Sequence, residues 1–146
     1  YWWDHNLSSV ALRPHTVHGP GRDQGMTSQP TVAVEHAARG ESYTVEYGGT
    51  LGFQYAPDVA RAFIEASRRP AEAAPAFNLP ADTIGVRNFL DVVTDITGIE
   101  LFCGDTGLDL VDEGAADSWT EWVNEWTTTP LGEAIRESVD VFANHN

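Results

Sequence analysis

The sequence predicts an α+β fold, built of short mixed strands and about five helices. Three observations carry that expectation. Apolar residues recur at helical spacing in several separate stretches, most clearly from Val86 to Ile96 and from Leu131 to Phe142. Short, largely apolar runs, such as Ala76-Phe77-Asn78-Leu79, lie between them. Helical and extended stretches do not alternate in the regular order of a purely parallel sheet.

Taken in order, Tyr1 to His5 reads as the tail of a helix closed by Asn6. Ser8 to Arg13 reads as a strand that stops at Pro14, since proline cannot donate to a ladder. His15 to Thr27 is expected to be a loop, with Gly19-Pro20-Gly21 as its turn signal. Pro30 opens a short helix to Arg39, and Gly40 provides its exit. Ser42 to Tyr47 is a weakly alternating strand, broken by Gly48-Gly49, and Leu51 to Tyr55 is another. Pro57 fits the first position of the next helix, where Asp58 complements the positive helix end. Val59, Phe63 and Ala66 are its expected apolar stripe, and Arg68-Arg69-Pro70 ends it. Ala71 to Pro75 is a linker, and Ala76 to Leu79 a short buried strand.

Thr83 is expected to cap the helix that carries Val86, Phe89, Leu90, Val93 and Ile96 on one face and closes at Gly98. Ile99 to Cys103 reads as a strand, and Gly104 to Asp117 as an acidic loop. Trp119, Trp122 and Trp126 then fall on one helix face. Thr129-Pro130 opens the last helix, with Leu131, Ile135, Ser138 and Phe142 along one side.

Composition narrows the functions available. Twenty-two acids face eight basic residues, all arginine, for a net charge of −14. Nucleic acids and anionic membrane surfaces need a cationic face, so neither is an expected partner. The lack of lysine excludes Schiff-base chemistry within the chain. No apolar run approaches the roughly 18 residues of a membrane span. The first residues are not a secretory leader, and a soluble, cytoplasmic protein is the expectation. Cys103 stands alone, so neither an internal disulfide nor a cysteine zinc cluster can form. It follows an apolar run and reads as a buried small hydrophobe. The sole methionine is Met26, and a start at Tyr1 points to a chain cut from something longer.

The most specific stretch is Leu12-Arg13-Pro14-His15-Thr16-Val17-His18-Gly19-Pro20-Gly21-Arg22. It resembles the L-R-P-x-x-V-Y-G-P-G-R segment of the extended short-chain dehydrogenase/reductases, the NAD-dependent epimerase/dehydratase family. Tyr55-Ala56-Pro57-Asp58-Val59-Ala60 is similar to the family's V-x-D-V-A helix start. Ala76-Phe77-Asn78-Leu79 is similar to V-Y-N-L-G, and Thr129-Pro130-Leu131-Gly132-Glu133 to T-P-L-E-E. Order and spacing hold over nearly the whole chain. The resemblance implies the last strand of a cofactor domain and an active-site loop over residues 1–28, then a substrate-binding domain over 29–146. It implies NAD as the cofactor of the full-length protein, touched here by Pro14, His15 and Val17. It implies a sugar or nucleotide-sugar substrate, met by Thr16, His18, Arg22 and Gln24; a homo-oligomer is expected from the apolar flanks that the Val10 to Leu12 strand would expose.

Departures from the pattern matter equally. The Gly-rich dinucleotide fingerprint is absent, and Gly104 to Gly114 is too acidic to cradle a pyrophosphate. The family's Tyr-x-x-x-Lys cannot occur without lysine, and the resemblance places it just upstream of Tyr1. His18 replaces the usual tyrosine, and Thr50-Leu51 replaces a frequent arginine. The chain is therefore expected to bind no NAD and to be inactive in oxidoreduction by itself.

Two rival readings remain open at this point. His18 as general base with Asp58 orienting it would make a stand-alone, hydrolase-like enzyme. An exposed tryptophan face, or the free edge of the Val10 to Leu12 strand, would make a self-associating module. Asp105, Asp109, Asp112, Glu113 and Asp117 crowd one loop but miss the spacing of a calcium loop, so no metal is expected.

Overall fold

The computed structural model describes residues 2–108 and 117–144. Its elements are α1 (Trp2–His5), β1 (Ala11–Arg13), β2 (Thr16–His18), α2 (Gln29–Ala38), β3 (Thr44–Val45), β4 (Thr50–Tyr55), α3 (Ala56–Arg68), β5 (Ala76–Asn78), β6 (Asp82–Gly85), α4 (Val86–Thr97), β7 (Phe102–Cys103), α5 (Asp117–Val123) and α6 (Leu131–Asn144). Short strands in small sheets, with helices packed on them, form the α+β architecture that the sequence predicts.

Strand pairing decides where a site can lie. β1 runs parallel to β5, with Leu12 opposite Phe77. β2 runs parallel to β4, with Thr16 opposite Phe53 and His18 opposite Tyr55. β4 pairs on its other side with β6, antiparallel, Gly52 facing Thr83. β3 runs parallel to β7. The chain thus leaves one sheet at Arg13 and enters another at Thr16, with only Pro14 and His15 between. Proline ends the first ladder because it has no N–H to offer.

Two apolar clusters hold these short ladders together. The larger joins Val34 of α2, Val45 of β3, Leu51 and Phe53 of β4, Phe89 and Leu90 of α4, and Ile135 of α6. Phe53 stacks on Phe89 at 4.5 Å between ring centroids. The smaller joins Ala62 and Ala66 of α3 to Phe77, Leu79, Trp119 and Val123. Burying one such large side chain contributes roughly 1.5–3 kcal/mol. Strands of two to six residues therefore depend on side-chain burial more than on their few ladder bonds.

Several local expectations are corrected. His15 to Thr27 is not all loop, because Thr16–His18 forms β2 against β4. Its stabilising partner lies far along the chain, where local periodicity cannot register it. Thr83 does not cap a helix. It sits inside β6, and Gly85 takes the N-cap place. The buried face of α3 runs Asp58–Ala62–Ala66, and Phe63 is 51% exposed on its flank. Small alanines let the helix approach closely, which leaves a bulky neighbour outside. α5 ends at Val123, so Trp126 is not on that helix, although its ring still meets Trp119 at 5.3 Å. The strands expected over Ser42–Tyr47 and Ile99–Cys103 shorten to β3 and β7. Cys103 is half-buried and packs against the larger cluster. Asp109, Asp112 and Glu113 lie outside the described residues. No group of three or more metal-ligating side chains occurs among the described residues. No described helix is long and apolar enough to cross a membrane.

Candidate functional site

Beyond β1 and β5 the chain diverges, one branch through Pro14-His15 and the other through Leu79-Pro80. Ligands of open α/β sheets bind at strand carboxyl ends, where the strand order switches. Gln54 of β4 spans this fork and is 5% exposed. Its Nε2 donates to the carbonyls of Leu79 at 2.9 Å and Pro80 at 2.6 Å. Its Oε1 accepts the His15 N–H at 2.7 Å. One amide thus satisfies three backbone groups that diverging strands leave without a ladder. The His15 ring lies over Gly52, where an added Cβ would come 3.2 Å from both His15 Cγ and Ala81 Cβ. No motif signals Gln54. The available sign is a lone amide inside an apolar strand, since buried polar groups imply partners.

From the fork a cleft runs between β4, the start of α3 and the segment leading into α6. It measures about 380 Å³ to its open mouth, with Gln54, Leu79 and Pro80 in its wall. Its inner part has room for about one water-sized group. His18 reaches it from β2 and is 3% exposed, ringed by Phe53, Tyr55 and Phe89 at 6.1, 5.6 and 5.2 Å. Burial pulls the His18 pKa from 6.5 down to about 4, while the Asp58 charge pulls it up. At pH 7 the imidazole is neutral.

Asp58 opens α3 and is buried. Its carboxylate accepts the Thr129 N–H at 2.7 Å and the Thr129 hydroxyl at 3.0 Å, and pairs with Arg61 at 3.0 Å. Asp82 lies at the mouth, where desolvation and the Asp58 charge raise its pKa. The Tyr55 hydroxyl donates to Glu137 at 3.0 Å, and burial together with that bond pushes its pKa up to about 12. A general base needs a pKa near the working pH and a free path to its proton. His18 is a weak base here, and Asp58 is committed to Thr129 and Arg61. The arrangement is better made for binding hydroxyl groups than for hydrolysis.

Of the residues expected at the cofactor, Pro14 is exposed, and His15 and Val17 are half-buried. Of those expected at the substrate, Thr16 and His18 are buried on the inner face of β2. Arg22 and Gln24 lie on the loop before α2, and neither lines the cleft. Among the described residues Arg22 makes no ion pair with Asp23. Its guanidinium folds back beside Gly25 and reaches the Thr27 hydroxyl at 3.4 Å, a long contact. Its charge is felt at Tyr47, whose hydroxyl burial pushes up to a pKa of about 12. Gln54, Asp82, Trp126 and Thr129 are the site residues that sequence reasoning missed. They come from separate segments joined by the β4–β6 ladder and the Asp58–Thr129 bonds.

No family model and no curated protein matches the sequence. Solved structures do match the fold. The UDP-glucose 4-epimerase of Thermus thermophilus, solved with NAD, is 21% identical over 100% of this chain and 50% of its own, with a TM-score of 0.78. A partial consensus L-threonine 3-dehydrogenase is 17% identical over 98% of this chain and 51% of its own, at 0.79. The UDP-glucuronic acid 4-epimerase of Bacillus cereus, in complex with UDP-glucuronic acid and NAD, is 16% identical over 97% of this chain and 47% of its own, at 0.77. At such identities the likeness shows the fold, which is the one the motif resemblance implies. The chain spans about half the length of each of these proteins.

Proposed function

We propose that this chain is the substrate-binding portion of an NAD-dependent, sugar-nucleotide epimerase/dehydratase-like enzyme of the extended short-chain dehydrogenase/reductase type. One observation carries the reading: the fold of nearly every residue here superposes on half of such enzymes. The Gln54-braced fork supports it, because it presents His15 just past the carboxyl end of β1. The remaining half would supply the dinucleotide fold and the tyrosine and lysine that move the proton.

The residues present fit only one edge of the cofactor. Pro14, His15 and Val17 would floor the nicotinamide, whose chemistry is hydride transfer. The chain has no lysine and no Gly-rich fingerprint to hold the pyrophosphate. No transfer step is therefore assigned to these residues, and their work is to bind and orient the sugar. The acid–base alternative through His18 and Asp58 finds less support, given the low His18 pKa and the Thr129 and Arg61 contacts of Asp58. Self-association remains part of the proposal, because Phe63 and Ile64 are exposed and β1 is paired on one side only among the described residues.

The test titrates UDP-glucose and NAD separately into the chain while amide NMR shifts are followed. UDP-glucose is expected to move the His15 and Thr16 amides, and NAD to bind only weakly. Unmoved fork amides at saturating sugar nucleotide would sink the substrate reading. Tight NAD binding would refute the division of labour between the two halves.

A further inference from the structure

The charges that line the cleft narrow the proposed sugar reading, and the narrower assignment rests on it. The lining holds two carboxylates, Asp58 and Asp82, and neither lysine nor arginine. Arg61 is not in the lining but pairs with Asp58 at 3.0 Å, so Asp58 is already compensated and Asp82 is the carboxylate left open to a ligand. The Arg61 guanidinium lies 4.6 Å from the centroid of the Trp126 ring and also donates to the Thr127 carbonyl. An anion entering the mouth therefore meets the Asp82 charge, which no lining cation offsets. Desolvation first, and the Asp58 charge second, raise the Asp82 pKa.

An uncharged polyol meets the opposite conditions. Asp82 offers acceptor oxygens and Thr128 a hydroxyl at the mouth. His18, neutral and 3% exposed, borders the inner space. That space admits a single hydroxyl. Trp126 supplies a half-buried ring on which the C–H face of a sugar can lie. The ring is held by Arg61 and by Trp119, which meets it edge-on at 5.3 Å, and the segment that carries it is fixed on both sides. Thr129 is tied to Asp58, and the chain turns sharply before Trp126 at Asn124 (φ 59°) and Glu125 (φ 140°).

We infer that the cleft is a subsite for an uncharged, polyhydroxylated ring, with Trp126 as its platform and Asp82 as the acceptor that turns acidic sugars away. In UDP-sugar terms, the site takes a neutral hexose in preference to a uronic acid.

The experiment compares UDP-glucose with UDP-glucuronic acid on the whole chain at pH 7 and fixed ionic strength, by ligand-detected NMR. UDP-glucose is expected to bind at least about ten-fold more tightly. Its hexose protons should take up saturation from the protein and lose most of it in Trp126→Ala. Asp82→Asn and Asp82→Ala are both expected to narrow the preference, chiefly by improving the acidic sugar, with thermal unfolding unchanged. Equal or tighter binding of UDP-glucuronic acid overturns the inference and leaves the sugar reading standing. A preference unchanged in both Asp82 variants overturns the role of Asp82. Binding of neither compound overturns the inference and the sugar reading together.

Discussion

At the scale of single residues, Gln54 and His18 show opposite ways of keeping a polar group inside. Gln54 is buried with full employment, one accepted and two donated hydrogen bonds. Gln54→Leu keeps the volume but strands three backbone groups, each costing about 1–3 kcal/mol. A loss of at least about 2 kcal/mol in urea unfolding is expected, with faster hydrogen exchange at the His15 amide. Wild-type stability in that variant would show that water replaces the amide. His18 is buried by losing its charge instead, at a pKa of about 4 against 6.5 when unfolded. Between those values only the unfolded chain takes up the proton. Stability is therefore full above pH 6.5, falls as the pH drops toward 4, and then levels off for this group. The span is worth about 3 kcal/mol. Urea unfolding at several pH values should show that slope, and His18→Gln should flatten it; an unchanged slope would refute the assignment. His18 was legible as a candidate because it stands in a recognisable motif. Gln54 was not, because its value depends on carbonyls that only the folded chain brings near.

At the scale of elements, Asp58 joins the first turn of α3 to the lead into α6. Hydrogen bonds to charged groups are worth about 1.5–3 kcal/mol. Asp58→Ala is expected to destabilise the chain by about 2 kcal/mol or more and to raise hydrogen exchange at Thr129 first. Exchange at Thr129 matching the wild type would contradict the tie. Helices with strong apolar faces were legible: α4 begins at Val86, buries Val86, Phe89, Leu90 and Val93, and closes at Gly98 with φ 73°. The strands were harder to read. β2 is three residues long, and its burial is decided by β4 and α4 rather than by its own pattern. Thr83 looks like a cap in sequence, but pairing opposite Gly52 makes it a strand residue. Trp126 shares helical spacing with Trp119, yet the positive φ at Asn124 and Glu125 sends it to the cleft instead.

For the whole molecule, net charge sets the terms. At −14, self-repulsion opposes both compaction and association. Raising sodium chloride from about 0.05 to about 1 M shortens the screening length to roughly 3 Å. The melting temperature is expected to rise with salt, and any self-association detected by sedimentation should strengthen alongside it. A melting temperature that falls would show that attractive ion pairs such as Asp58–Arg61 outweigh the repulsion. The fold class was legible because apolar periodicity and motif order extend along nearly all of the chain. The cleft was not, since its walls combine β2, β4, α3 and the lead into α6, and no single stretch of sequence contains it.

The parallel ladders also govern how the molecule must assemble. Ala11 has to find Ala76, Thr16 has to find Phe53, and Thr44 has to find Phe102. Each pairing closes a long loop before any ladder bond rewards it, and contacts of that kind slow folding. α2, α4 and α6 can begin to form from local contacts. The strands then wait on distant partners, and Gln54 can clasp both branches only once β1 has met β5 and β2 has met β4. The Gln54-braced fork is therefore among the last parts to be completed in refolding. During that wait the apolar strand edges stand open to other copies, so the search itself is the stage most exposed to aggregation.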